Sequence, residues 1–208
     1  MGLKILPFRQ YDDHDVVNLY RVHDNMVLDS TTGAGSGDAG TFVKVSAGDF
    51  SADPVAYAND DYLGKTDYAF VGRNQYPKVS LQVSPVESSD ELPLGITLLQ
   101  TAKADENGEK LLYNPQKAAE LQAALPGEAV PIATKGIFTI SADAFQGALG
   151  AGGLTVGNGL ASAAGGTVTG CDPNSANCFG TILGTGSRTS ENGVADQFSG
   201  EYLVFKFK

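Results

Sequence analysis

The end of the chain alternates. Leu203, Phe205 and Phe207 fall on one side of the period, and Val204, Lys206 and Lys208 fall on the other. A period of two is that of a half-buried strand, so these residues predict a C-terminus sewn into a sheet. The run from Val130 to Ile140 is equally rich in β-branched and aromatic residues and reads as a second strong strand. Weaker strand patterns cover Thr41 to Val45, with Phe42 and Val43 on opposite faces, and the alternating Val79, Leu81 and Val83. Leu94 to Gln100 reads as a central strand, and Gly180 to Thr185 as another. Val16, Val17, Leu19, Tyr20 and Val22 read as a strand near the N-terminus. Asn107-Gly108 is the dipeptide of a tight turn.

One helix is signposted. Asn114 is a good N-cap, Pro115 suits the first turn, and Ala118, Leu121, Ala124 and Leu125 recur at helical spacing. Pro126-Gly127 stops it, which predicts about three turns. Ala142 to Ala148 suggests a further helical turn. The unevenly spaced Tyr57, Tyr62, Tyr68, Phe70 and Tyr76 read as aromatic anchors of a long ordered loop. The Gly/Ala tract from Gly147 to Gly166 reads as a flexible excursion.

The expected fold is mainly β, a small barrel or sandwich with long loops and one short helix. The Gly/Ser-rich residues 30–40 divide it into an N-terminal arm with a flexible linker, residues 1–40, and a β-barrel domain, residues 41–208. That domain carries Gly-rich and cysteine-loop insertions. No period of 20–50 residues repeats, which excludes solenoids and propellers.

Composition sharpens the picture. The 208 residues suffice for one sizeable core, and 26 glycines suit the turns and bulges of a β protein. The formal net charge of −10 argues against nucleic acid and against an anionic membrane surface. Met1 to Phe8 lacks the apolar stretch of a secretory signal, and no run is long enough to span a bilayer, so synthesis in a cytoplasm is the expectation. Cys171 and Cys178 are separated by six turn-forming residues, close enough for a disulfide across a tight loop. A reducing cytoplasm opposes that bridge, and an object that leaves the cell favours it.

Candidate chemistry is sparse. Asp12, Asp13, His14 and Asp15, with His23 and Asp24, offer hard donors for a divalent cation, but their spacing matches no calcium loop and suits a solvated acidic segment. Asp105, Asn107 and Glu109 resemble half a calcium loop, but the match fails beyond Gly108 and a hairpin turn explains the same letters. The glycine clusters at Gly33 and Gly157 lack the Lys-Ser/Thr ending of a phosphate loop. No serine sits in a nucleophile elbow, and the absence of Trp disfavours a carbohydrate cleft. The expectation is therefore neither an enzyme nor a protein with a metal or cofactor.

The order of elements resembles the small β-barrel decoration (cement) proteins of tailed-phage heads. The residues that carry the likeness are Glu128 to Ile140, similar to the family's "pvavaxxGvftl" stretch, then Phe179 to Thr185, similar to its "iGxvl" strand, then the closing strand Tyr202 to Phe207. The opening Leu6 to Tyr20 also looks like the start of structural proteins from marine phages. The helix near Pro115, the Gly/Ala tract and the cysteine loop depart from the simplest members. The resemblance implies a virion protein, made in the bacterial host cytoplasm, that sits on the capsid exterior and stabilises the shell. It implies a homotrimer with the major capsid protein as partner. On that reading Leu6, Phe8, Val16, Val17, Leu19 and Tyr20 form an arm that contacts a neighbouring capsid subunit. The alternative is a tail-associated adhesin whose loops 147–178 and 186–199 contact host glycans.

Overall fold

The computed structural model describes residues 4–28, 35–48, 79, 81–150, 153–189 and 199–208. The expected aromatic-anchored loop around Tyr57 to Tyr76, residues 30–34 of the expected linker and residues 190–198 lie outside the described residues.

Thirteen strands and one α-helix make up the described chain. The first sheet contains β1 (Val16–Val17), β2 (Arg21–Val22), β3 (Phe42–Ser46), β4 (Gln82–Pro85), β5 (Gly95–Thr97) and β8 (Ile132–Ala133). Its order is β1-β8-β5-β3-β4-β2, antiparallel except for the β2–β4 pair. The second sheet contains β9 (Ile137–Ser141), β10 (Gly159–Ala163), β11 (Thr167–Cys171), β12 (Gly180–Arg188) and β13 (Gly200–Phe207). Its order is β11-β10-β12-β13-β9, all antiparallel. A small parallel pair joins β6 (Gln100–Thr101) to β7 (Ala123–Ala124). The fold is mainly β, as expected. None of these sheets closes on itself among the described residues, so of barrel and sandwich it is the sandwich that forms.

The alternation of β13 sets the core. Leu203, Phe205 and Phe207 turn inward and are buried, while Lys206 is exposed. Across the interface, Phe42 of β3 lies 5.6 Å from the rings of both Phe205 and Phe179, centroid to centroid. Phe138 of β9 and Ile96 of β5 join this cluster from the two sheets. Each fully buried Phe of this cluster contributes about 1.5–3 kcal/mol of transfer free energy. The first sheet is buried on its other face as well. There Val43, Val83 and Ile132 pack with Val22, Met26 and Val130. That explains why Phe42 and Val43, on opposite faces of one strand, are both fully buried.

Four expectations are corrected. Val130 to Ile140 is not one strand. Gly136 adopts φ +134°, where an added Cβ would meet the Gln10 carbonyl oxygen at 2.7 Å, and the chain turns there from the first sheet into the second. The helix is α1 (Pro115–Glu120), six residues long, although Asn114 caps it as expected by accepting from the Lys117 N–H at 3.4 Å. Gln122 takes φ 49° and ends it, and Ala123–Ala124 pair with β6, which carries Leu125 into a separate apolar cluster with Leu28 and Leu111. The Gly/Ala tract is not a flexible excursion. It contains β10, buried along its whole length, because its small residues fit a strand flanked on both sides. Nor is the N-terminal segment a separate arm. Ile5 and Gln10 bridge β9, β1 pairs with β8 and β2 pairs with β4.

Candidate functional site

The outward face of the second sheet holds the most distinctive surface feature. Residues 4–10 run along the edge of β9: the Leu6 N–H donates to Thr139 O at 2.8 Å, and Gln10 and Ile137 exchange backbone bonds of 2.8 Å each. Ile5 then faces the core, and Leu6, 3% exposed, forms the floor of a groove on the opposite face. Thr139, Tyr202 and Val204 continue the lining, with Phe8 and Arg188 completing it. The groove encloses about 320 Å³. Phe8 is 58% exposed, and the Arg188 guanidinium lies 5.1 Å from its ring centroid. That geometry is a cation–π contact. Gly186, opposite Tyr202 in the β12–β13 register, leaves room for the Tyr202 hydroxyl, which an added Cβ would approach to 2.7 Å. Exposed aromatic surface beside an arginine is the chemistry enriched at the energetic centres of protein interfaces.

The structure divides the expected contact residues. Leu6 and Phe8 line the groove. Val16 and Val17 are half-buried in β1, which pairs with β8 and forms one edge of the first sheet. Tyr20 accepts from the Val130 N–H at 2.9 Å and packs on the cluster around Val22. Leu19 is 59% exposed but is not among the groove residues.

The acidic segment behaves as a solvated turn. Asp12 caps a 3-10 turn, Asp13–Asp15, by accepting from the His14 N–H at 2.8 Å, and Asp24 pairs with Arg21 at 3.2 Å. Asp105 is buried because its carboxylate closes a turn. It accepts from the N–H groups of Asn107 at 2.9 Å and Glu109 at 2.8 Å. No cluster of three or more His, Cys, Asp or Glu side chains suited to a metal occurs among the described residues.

Cys171 closes β11 and Cys178 precedes β12, with their Sγ atoms 2.7 Å apart and both free thiols. They meet above Gly159, where β10 passes between the strands that the loop connects. Burial, and then the neighbouring Cys178, push the Cys171 thiol up to about 12. The loop itself is well tied. Ser175 N–H donates to Asp172 O at 2.9 Å, Asn177 Nδ2 donates to Asp90 Oδ1 at 2.9 Å, and Lys208 Nζ donates to Pro173 O at 3.1 Å.

Sequence reasoning missed the groove as such. Its local signal in β13 was the pair Tyr202 and Val204, on the face that goes on to carry Lys206 and Lys208. The approach of Arg188 to Phe8 has no local signal. No family model matches the chain, and neither the curated proteins nor the solved structures yield a match.

Proposed function

We propose that this chain is a structural virion protein that binds the outer surface of a tailed-phage head and stabilises its shell. The groove formed by Leu6, Phe8, Arg188, Tyr202 and Val204 is the observation that supports it most, since it offers apolar and aromatic contact area with a single cation. Its occupant on this reading is the major capsid protein, as the resemblance in element order implies, with the chain acting as a homotrimer. Charge is consistent with the outer location: a protein of net charge −10 is repelled by packaged DNA. No catalytic role is proposed.

The test is rebinding. Purified chain is added to heads stripped of it, and co-sedimentation and heat tolerance of the heads are measured. Wild type is expected to sediment with the heads and restore their tolerance. Phe8→Asp and Arg188→Glu are expected to remain in the supernatant while keeping the wild-type circular dichroism spectrum. Rebinding by both variants at wild-type level would remove the groove from the account. Heads equally tolerant with and without the chain would remove the stabilising role.

A further inference from the structure

The cysteine pair occupies a mechanically special place in the second sheet. β11 and β12 both pair with β10, one on each side, so the segment 172–179 must cross over the start of β10 to join them. It crosses at Gly159, the residue whose register partners are Cys171 in β11 and Thr181 in β12. With no side chain on Gly159, both sulfurs drop into the space a Cβ would fill.

We propose that Cys171 and Cys178 form an intramolecular disulfide that clamps this crossover over β10 when the protein meets a small-molecule disulfide such as oxidised glutathione. Four observations carry it. The sulfurs already face each other at 2.7 Å, so closure to a bonded pair needs only a sub-ångström movement. The loop between them is held by its own bonds and by Asp90 and Lys208, so little freedom is left to lose on closure. These are the only two cysteines in the chain, so neither has another intramolecular thiol to pair with. Cys171 is half-exposed while Cys178 is buried, which gives the oxidant one point of entry.

The chemistry balances. The Cys171 thiol loses its proton to water, and its thiolate attacks one sulfur of oxidised glutathione, releasing one glutathione thiolate. Cys178, after losing its own proton, attacks the Cys171 sulfur of the mixed disulfide and displaces the second. The protein gives up two electrons and two protons, and the glutathione disulfide is reduced to two thiols. The first step is slow, because the Cys171 thiol is raised to about 12 by burial and by Cys178, with Asp172 adding to the effect and Lys208 opposing it. The second step is fast, because its partner is already in contact.

The experiment compares the full chain after incubation with oxidised or with reduced glutathione. Endoproteinase cleavage before Asp172 separates the two cysteines, so a bridge holds the two fragments together until reductant is added. Expected are joined fragments, an intact mass of the single chain lower by two hydrogens, no disulfide-linked dimer on a non-reducing gel, and an unfolding midpoint raised by about 4–10 °C. Cys171→Ser, at the half-exposed position, is expected to show an unfolding midpoint insensitive to oxidant. Fragments that part without reductant, or disulfide-linked dimers in place of the intramolecular bridge, would overturn the proposal. A bridge that forms without moving the midpoint would overturn the clamp.

Discussion

Gly159 lies directly beneath Cys178: a Cβ built on this glycine collides with the Cys178 sulfur and stands 2.8 Å from that of Cys171. The glycine is therefore a packing requirement of the cysteine crossover. Gly159→Ala is expected to destabilise the fold by about 1–3 kcal/mol through overpacking, measured by urea unfolding. Cys178→Ala in the same chain removes the atom struck and is expected to recover part of the loss. Additive losses in the double variant would place the strain elsewhere.

Neighbouring residues of β13 are expected to differ sharply. Phe205 is fully buried between Phe42 and Phe138, and Phe205→Ala is expected to cost about 3–5 kcal/mol. Lys206 is exposed on the other face, and Lys206→Ala is expected to stay within about 0.5 kcal/mol. Equal losses at the two positions in denaturant titrations would contradict the sandwich core.

Glu91 couples β3 to the turn after β4. It accepts from Lys44 Nζ and, at 2.7 Å, from the Glu87 N–H. The Lys44 bond, followed by the backbone bond from Glu87, holds its carboxyl below the ordinary 4.5. The folded state then binds this proton less tightly than the unfolded state. The associated stability is complete above pH 4.5 and fades as pH falls through the lower folded pKa. Since both side chains remain part-exposed, solvent screening keeps its size within about 1 kcal/mol. Glu91→Gln is expected to flatten this part of the acid limb of a stability-versus-pH curve, and an unchanged limb would contradict the assignment.

The Cys171 thiol, raised to about 12, is expected to react slowly with iodoacetamide near neutral pH. Its rate should climb about tenfold per pH unit and keep climbing where an ordinary thiol, of pKa about 8.5, has levelled off. Peptide mapping of the alkylated site at successive pH values reads this directly. A plateau near the ordinary value would show that burial and Cys178 do not raise this thiol.

Periodicity made the strand of Leu203, Phe205 and Phe207 legible, as it did the opposed faces of Phe42 and Val43, because burial there follows the alternation of the backbone itself. It failed where the deciding force was tertiary. Gly136 splits an apparently continuous strand because Gln10, distant in sequence, leaves no room for a side chain. Ala123 and Ala124 leave a helical pattern because a strand partner is available at Gln100 and Thr101. Leu160 to Ala163 looked like a loop, since small residues carry little periodic signal, yet that is what a strand crowded by two neighbours accommodates. The same holds for the surface. Leu6 and Phe8 were singled out as contact residues, but the groove they line also needs Tyr202, Val204 and Arg188, which only the pairing of β9 with both chain ends and of β12 with β13 brings near.

The central claim is that this chain coats a phage head, and quantitative mass spectrometry of purified particles tests it most directly. The account predicts the chain in a fixed, high ratio to the major capsid protein, removable without opening the DNA-filled shell. Absence of the chain from the particles, or a few copies confined to tail fractions, would contradict it.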